Sequence, residues 1–498
     1  MAAGFRERGM PERMEFMSLS FERTQSVAVL GGGPGGYEAA LAAAQLGAEV
    51  TLVERAGVGG SAVITDVVPS KSLIATADAA VSIAQASDLG VQLFAKGKEG
   101  KPLKPEIAIN LAAVNHRLLS LARQQSDDMR AALIEAGVRI VSGHGRLEGR
   151  NAIVVSTASD GTDFDRVEAD TLVVSVGAAP RELPSALPDG ERILTWTQLY
   201  DMKRLPEHLI VVGSGVTGAE FAGAYMNLGA EVSLVSSREQ VLPGEDKDAA
   251  AVLEKVFKRG GMHVLSKSRA EKVVNTGDGV EVTLTDGRVV AGSHCLMAVG
   301  SVPNTAGIGL EDAGVQMTDS GHIQVNRVAR TSVPNIYAAG DCTTFVPLAS
   351  VASMQGRTAV FHALGDVVIP LERRRIASNI FTAPEIATVG WQEADIEAGL
   401  IHGTVHKLPL SANPRAKMMG IKDGFVKIIA RTGSGTVVGG VIVGPRASEM
   451  IYPIAIAVER RLSVDQLSRV FAVYPSLSGV ITDVANAMHV TNLPGAEA

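Results

Sequence analysis

The sequence predicts an α/β fold: two Rossmann-like nucleotide-binding domains followed by a C-terminal α+β domain. Two observations carry most of this. A short apolar run leads into a glycine-rich loop at 31–36, and the same device recurs at 213–218. Repetition of one strand–loop–helix unit within a chain reads as a duplicated nucleotide-binding domain. The third observation is a change of texture after about Arg375, where strands are followed by helices. A chain of 498 residues has room for about three such domains.

The first 25 residues mix four Arg with four Glu (Arg6, Arg8, Arg13, Arg23; Glu7, Glu12, Glu15, Glu22). They lack the apolar core of a signal peptide and are not acid-poor like a transit peptide. They read as a flexible extension, with Met17 as an alternative start. From Ser26 the pattern is strand (26–30), glycine loop (31–36), helix (37–47) and strand (49–54), one complete βαβ unit. Helical periodicity is expected over 70–87 and 107–137, with short strands near 139–141, 152–156 and 171–176. The second unit reads as strand 209–212, loop 213–218, helix 219–228 and strand 231–235. A strand at Ile336 precedes Ala339-Gly340-Asp341-Cys342 and a helix from about Leu348. Strands at 425–430 and 437–443 open the final domain.

Composition removes several functions. A net charge of −7 does not favour a nucleic-acid partner. No uncharged apolar run approaches the ~20 residues that span a bilayer, so no integral membrane segment is expected. Cys295 and Cys342 are the only cysteines and show neither CxxC nor metal-ligand spacing. No metal is expected, and so few cysteines fit a reducing cytoplasm.

The chemistry lies in the loops. Gly31, Gly33 and Gly36 supply a tight turn, close backbone approach to a pyrophosphate, and close packing of helix on strand. The helix start, with Pro34, offers unpaired N–H groups to the phosphates. Glu54, 23 residues after Gly31, ends the next strand, where a carboxylate accepts hydrogen bonds from a ribose diol. Gly213, Gly215 and Gly218 repeat the device, but the strand-end position is Ser236, followed by Ser237 and Arg238. An uncharged strand end beside an arginine suits a 2′-phosphate and favours NADPH over NADH. The alternative is that Arg238 is a solvated surface charge.

These loops, together with Ala339-Gly340-Asp341-Cys342, Gly59-Gly60, Pro69-Ser70-Lys71, Val176-Gly177, Gly300 with Pro303-Asn304, and FTAPEIATVG (381–390), resemble the FAD-dependent pyridine nucleotide–disulfide oxidoreductases. That family includes dihydrolipoamide dehydrogenase and glutathione reductase, and the resemblance runs from about 26 to 488. It implies an FAD domain in two parts (26–175 and 301–372), an NAD(P) domain (176–300) and a dimerisation domain (373–498). It places Arg55, Gly60, Ser61, Gly145, Gly177 and Ala349 around FAD with the first loop and Glu54. Asp341 would bind the FAD ribitol. Lys71 would sit beside the flavin, paired with Glu220, and the helix starting near Ala349 would aim its N-terminus at the flavin pyrimidine. Val216, Glu220 and Gly300 would join the second loop and Ser236–Arg238 around NADP or NAD. A purely structural Lys71–Glu220 pair is the alternative for that site.

The departures from the family pattern carry the functional reading. The family's redox disulfide falls on positions occupied here by Ala62 and Val67. Its His-Pro and orienting Glu fall on Tyr474-Pro475 and Gly479. With no thiolate available, electrons have no thiol route out of the flavin. Val216 stands where many members carry a Tyr that covers the flavin. The expected reaction is hydride transfer from NAD(P)H through FAD to a quinone, in a cytoplasmic homodimer or higher oligomer. GERILTWTQLYD (190–201) and AVYPSLSG (472–479) are similar to quinone-reducing mycobacterial members of the family. Tyr474, brought from a partner subunit, would hydrogen-bond a quinone oxygen, or would simply pack in the interface. A soluble transhydrogenase and a flavin-binding regulatory protein are the competing readings.

Overall fold

The computed structural model describes residues 24–92, 94, 107–156 and 164–489. The expected N-terminal extension lies outside them, apart from residues 24 and 25. The continuous apolar run of β1 (Ser26–Leu30) is buried from Val27 onward, as a strand covered on both faces requires. The helix α1 (Pro34–Gln45) begins three residues earlier than the sequence suggested. Proline's fixed φ and missing N–H suit the first helical position, and Gly33 is an extended N-cap. β2 (Glu49–Glu54) then pairs in parallel with β1, Ser26 opposite Glu49 and Leu30 opposite Val53.

The first sheet has five parallel strands in the order 336–338, 171–174, β1, β2 and 139–142. The helix α2 (Val67–Ala84) also starts before its expected limit at Ser70. Pro69 is tolerated there because the first turn has no i−4 acceptor to lose. Residues 60–84, two helices in succession, are apolar enough in length and composition to cross a membrane. The stretch carries Asp66, Lys71 and Asp78 and packs into the interior through Leu73 and Ala77. One face of α2 therefore joins the protein core.

The second unit repeats the first. β3 (His208–Val212), α3 (Val216–Asn227) and β4 (Glu231–Val235) form its βαβ, in a parallel sheet ordered 263–265, β4, β3, 294–297, 193–194. The chain leaves the first unit through 178–180 and returns through 301–303, and these two segments pair antiparallel. Gly177 and Gly300 sit at this crossing: Asn304 N–H donates to Gly177 O at 3.0 Å, and Arg181 N–H to Gly300 O at 2.9 Å. After the crossing, α4 (Ala349–Ala363) lies against α1, so closely that a Cβ on Gly356 would stand 1.9 Å from Gly35 O.

The C-terminal region is a five-stranded antiparallel sheet, ordered 377–380, 385–390, 437–444, 425–431, 403–409. Helices 452–460 and 479–487 share its core. Its Ile380, Phe425 and Val443 also enter the core of the second unit, with Tyr225 and Phe257. A buried cation reinforces that junction. Lys427 contacts Asp246 at 2.8 Å, Asp248 at 2.9 Å and Glu393 at 2.6 Å. Burial alone would lower its pKa, but these carboxylates raise it above the ordinary lysine value, so it stays charged.

Candidate functional site

The first glycine loop is built from close approaches that side chains would forbid. Gly31 has φ +99°, and a Cβ there would lie 2.3 Å from Ser175 O. A Cβ on Gly36 would lie 1.8 Å from Gly31 O, so this glycine sets how closely α1 packs on β1. Gly33 is different: its Cβ direction is almost open, with the nearest atom at 3.9 Å. That opening is where a phosphate could meet backbone. Gly60 closes the other wall, its Cβ direction only 2.8 Å from Gly33 Cα. Glu54 Oε2 accepts the Gly32 N–H at 2.6 Å and Oε1 the Ala56 N–H at 2.7 Å, which holds the carboxylate beside the loop. Arg55 and Ser61 are exposed at the rim. Gly145 lies deeper, its Cβ direction filled by Leu30 and Val53. Its visible role is to let strand 144–148 pack on the first sheet.

Asp341 follows strand 336–338, in the first sheet. It is only partly exposed, and its carboxylate has no hydrogen-bond partner among the described residues. Burial raises its pKa, and His322 opposes the rise. Such a group is free to accept hydrogen bonds from a bound ligand. The orphaned carboxylate, the open Gly33 backbone and the α4 N-terminus fit a flavin dinucleotide.

Three segments far apart in sequence meet next. Lys71 on α2 donates to Glu220 Oε2 on α3 at 2.7 Å, with Glu220 buried and Lys71 part-exposed. Glu220 Oε1 accepts the Phe381 N–H at 2.8 Å, and Lys71 Nζ lies 5.1 Å from the Phe381 ring centre. One carboxylate thus ties the first unit, the second unit and the C-terminal domain together. Ala62 and Val67 are partly buried on the same segment as Lys71, and neither position holds a cysteine. Both cysteines are fully buried and free, and burial holds their thiols well above the ordinary range, Cys342 at about 11. Neither offers a thiolate.

Sequence reasoning passed over Asp66. It lies between Ala62 and Val67 and is only partly exposed, with no side-chain hydrogen bond or ion pair among the described residues. Burial pushes its pKa up to about 6; Lys71 lowers it, and Glu220 and Asp341 raise it. The available signal was an acid inside an apolar segment, overshadowed by the missing cysteines.

The second loop copies the first. Gly213 has φ +113° with Ala298 O 2.1 Å from its Cβ direction, Gly218 meets Gly213 O at 1.9 Å, and Gly215 faces open space. Ser236 is completely buried, and its hydroxyl is engaged with Ser214 Oγ at 2.7 Å and the Arg238 N–H at 3.2 Å. It shapes the turn instead of facing a ligand. Ser237 and Arg238 are exposed, and the Arg238 guanidinium has no carboxylate partner among the described residues. Val216 is 44% exposed at the start of α3, so no large side chain covers this face. Tyr474 does not reach the Lys71 cluster within its own chain. It is 82% exposed, in a loop with Phe471 and Val473 also exposed. Together the three form an exposed, largely apolar patch.

Comparison with known proteins agrees with this architecture. Residues 25–356 match the pyridine nucleotide-disulphide oxidoreductase family, and residues 376–485 match its dimerisation domain. The chain belongs to that family. An NAD(P)H dehydrogenase (quinone) from Mycobacterium tuberculosis is 49% identical over 471 residues, 93% of each chain. A dihydrolipoyl dehydrogenase from Bacillus subtilis is 31% identical over 92% of this chain and 95% of its own. The solved structure of LpdA from M. tuberculosis superposes with a TM-score of 0.88 at 48% identity, covering 94% of this chain and all of the other. The Escherichia coli flavoprotein disulfide reductase RclA shares the fold, with a TM-score of 0.81 at 21% identity over 93% of this chain and all of its own.

Proposed function

We propose that this chain is a homodimeric FAD enzyme that passes hydride from NAD(P)H, with NADPH preferred, to a quinone. The observation that carries the reading is a contrast within one site. The Lys71–Glu220 pair and both glycine loops are built, while the thiol positions hold Ala62 and Val67. The 49%-identical relative named as a quinone dehydrogenase supports the same acceptor.

FAD, when bound, supplies a ring that accepts and releases hydride. The chain's own residues hold and tune it. Gly31, Gly33, Pro34, Gly36, Glu54 and Gly60 would take the nucleotide half, and Asp341 the ribitol. Lys71 and the N-terminus of α4 would supply positive potential to a bound flavin, which favours added negative charge. Glu220 keeps Lys71 in position. Gly213, Gly215, Gly218, Ser237 and Arg238 would hold the second nucleotide, its 2′-phosphate against Arg238. The apolar Ala62 and Val67 side chains at the former thiol positions suit a flat apolar acceptor. Tyr474 of a second subunit would line that face, which makes the dimer part of the site. The domain division follows the crossing: 26–175 with 301–372, 176–300, and 373–498.

Steady-state NADPH oxidation tests this reading. A naphthoquinone should support turnover and lipoamide should not. Turnover with lipoamide, or with NAD⁺ alone as acceptor, would replace this reading with a disulfide reductase or a transhydrogenase.

A further inference from the structure

Reduction of a quinone consumes a proton as well as a hydride, and the mechanism above names no source for it. Asp66 is the unassigned acid of the site. Its backbone is clamped, with its N–H on Ser61 O at 2.8 Å and its carbonyl accepting the Ser70 N–H at 2.8 Å. Its side chain, by contrast, has no partner among the described residues although it is half withdrawn from solvent. The groups acting on it come from three other places in the fold: Lys71 one turn along α2, Glu220 on α3, and Asp341 after strand 336–338. The shielded Tyr200 phenol also acts with Asp66: its ionisation is opposed first by burial and then by the Asp66 charge, while a hydrogen bond with Ser70 favours it. Lys71, Glu220 and Asp341 are the residues assigned above to the flavin, so Asp66 stands in the same site, on the segment that faces the acceptor.

We infer that, in the quinone reaction proposed above, Asp66 delivers the proton that completes the hydroquinone. The balance is NAD(P)H + H⁺ + quinone → NAD(P)⁺ + hydroquinone. Hydride forms one O–H bond on the quinone and leaves the second oxygen negative. The Asp66 O–H bond breaks, the second hydroquinone O–H forms, and solvent reprotonates the carboxylate. Nicotinamide is oxidised and quinone reduced, with no other reactant. Burial, Glu220 and Asp341 all favour the protonated acid and Lys71 opposes it, leaving a pKa of about 6, close to the operating pH as a general acid requires.

The test uses the FAD-loaded enzyme, reduced anaerobically with NADPH and mixed with a naphthoquinone from about pH 5 to pH 9. Wild-type recovery of the oxidised spectrum should slow as pH rises through the Asp66 pKa. Asp66→Asn should recover about 100-fold more slowly at the acid end and lose that limb, and Asp66→Glu should restore it. A second reading is independent of turnover. The visible band of the oxidised holoenzyme should shift on titration in wild type and not in Asp66→Asn at equal flavin content. An unchanged limb and an unchanged titration in Asp66→Asn would overturn the inference. If wild-type enzyme is reduced by NADPH but no quinone restores it, the reaction itself is wrong and the inference falls with it; that failure shows before any variant is made.

Discussion

The two glycine loops share one backbone and part company at the strand end. In each, the first glycine takes a positive φ against a carbonyl of the neighbouring strand's end, Ser175 or Ala298. In each, the last glycine closes on the carbonyl of the first, at 1.8 Å and 1.9 Å from the Cβ direction. The second loop residue then meets the strand end: Gly32 N–H on Glu54 at 2.6 Å, Ser214 Oγ on Ser236 at 2.7 Å. A charged acceptor stands at one site and a neutral hydroxyl pair at the other. In the proposed function the skeleton holds a dinucleotide and the strand end selects which one.

Breaking the skeleton should give the largest effects, and different ones in the two halves. Gly36→Val drives a side chain into Gly31 O, and protein purified without flavin is the expected result. Gly218→Val makes the same collision in the second unit. It should leave flavin bound while NADPH no longer bleaches it. Equal flavin loss in both variants would mean that the two units do not act separately.

Changing the strand-end chemistry comes next. Glu54→Gln removes a charged acceptor, and FAD affinity should fall about 10- to 100-fold by isothermal titration, in line with roughly 1.5–3 kcal/mol for a hydrogen bond to a charged group. Arg238→Glu should raise the KM for NADPH about 10-fold or more and leave NADH nearly untouched. Equal changes would return Arg238 to the role of a surface charge. The smallest effect belongs to Ser236→Ala, which loses buried hydrogen bonds within the turn. A stability loss of about 1 kcal/mol is expected, seen as a lower Tm, with the KM for NADPH nearly unchanged. A large rise in that KM would show that Ser236 touches the ligand after all.

The backbone of this comparison was legible in the sequence because glycine spacing reports local geometry. The helices begin three residues before the expected limits, at Pro34, Val67 and Val216, because their first turns fall within the glycine loops or the Pro69 segment, where no apolar periodicity marks them. Ser236 read as a ligand-facing position; its burial depends on Ser214, which strand pairing brings alongside. Asp66 was illegible for a similar reason. Its surroundings come from residues 71, 220 and 341, and no local pattern announces that they converge. Tyr474 lies on an exposed loop, and its role depends on the second subunit proposed above.

The central claim is a hydride path that leaves the flavin without a thiol, and the separated half-reactions test it most directly. Under anaerobic conditions NADPH should bleach the bound flavin's visible band. A naphthoquinone should then restore it rapidly, and lipoamide should leave it bleached. Recovery with lipoamide, or failure of NADPH to bleach the flavin at all, would contradict the account.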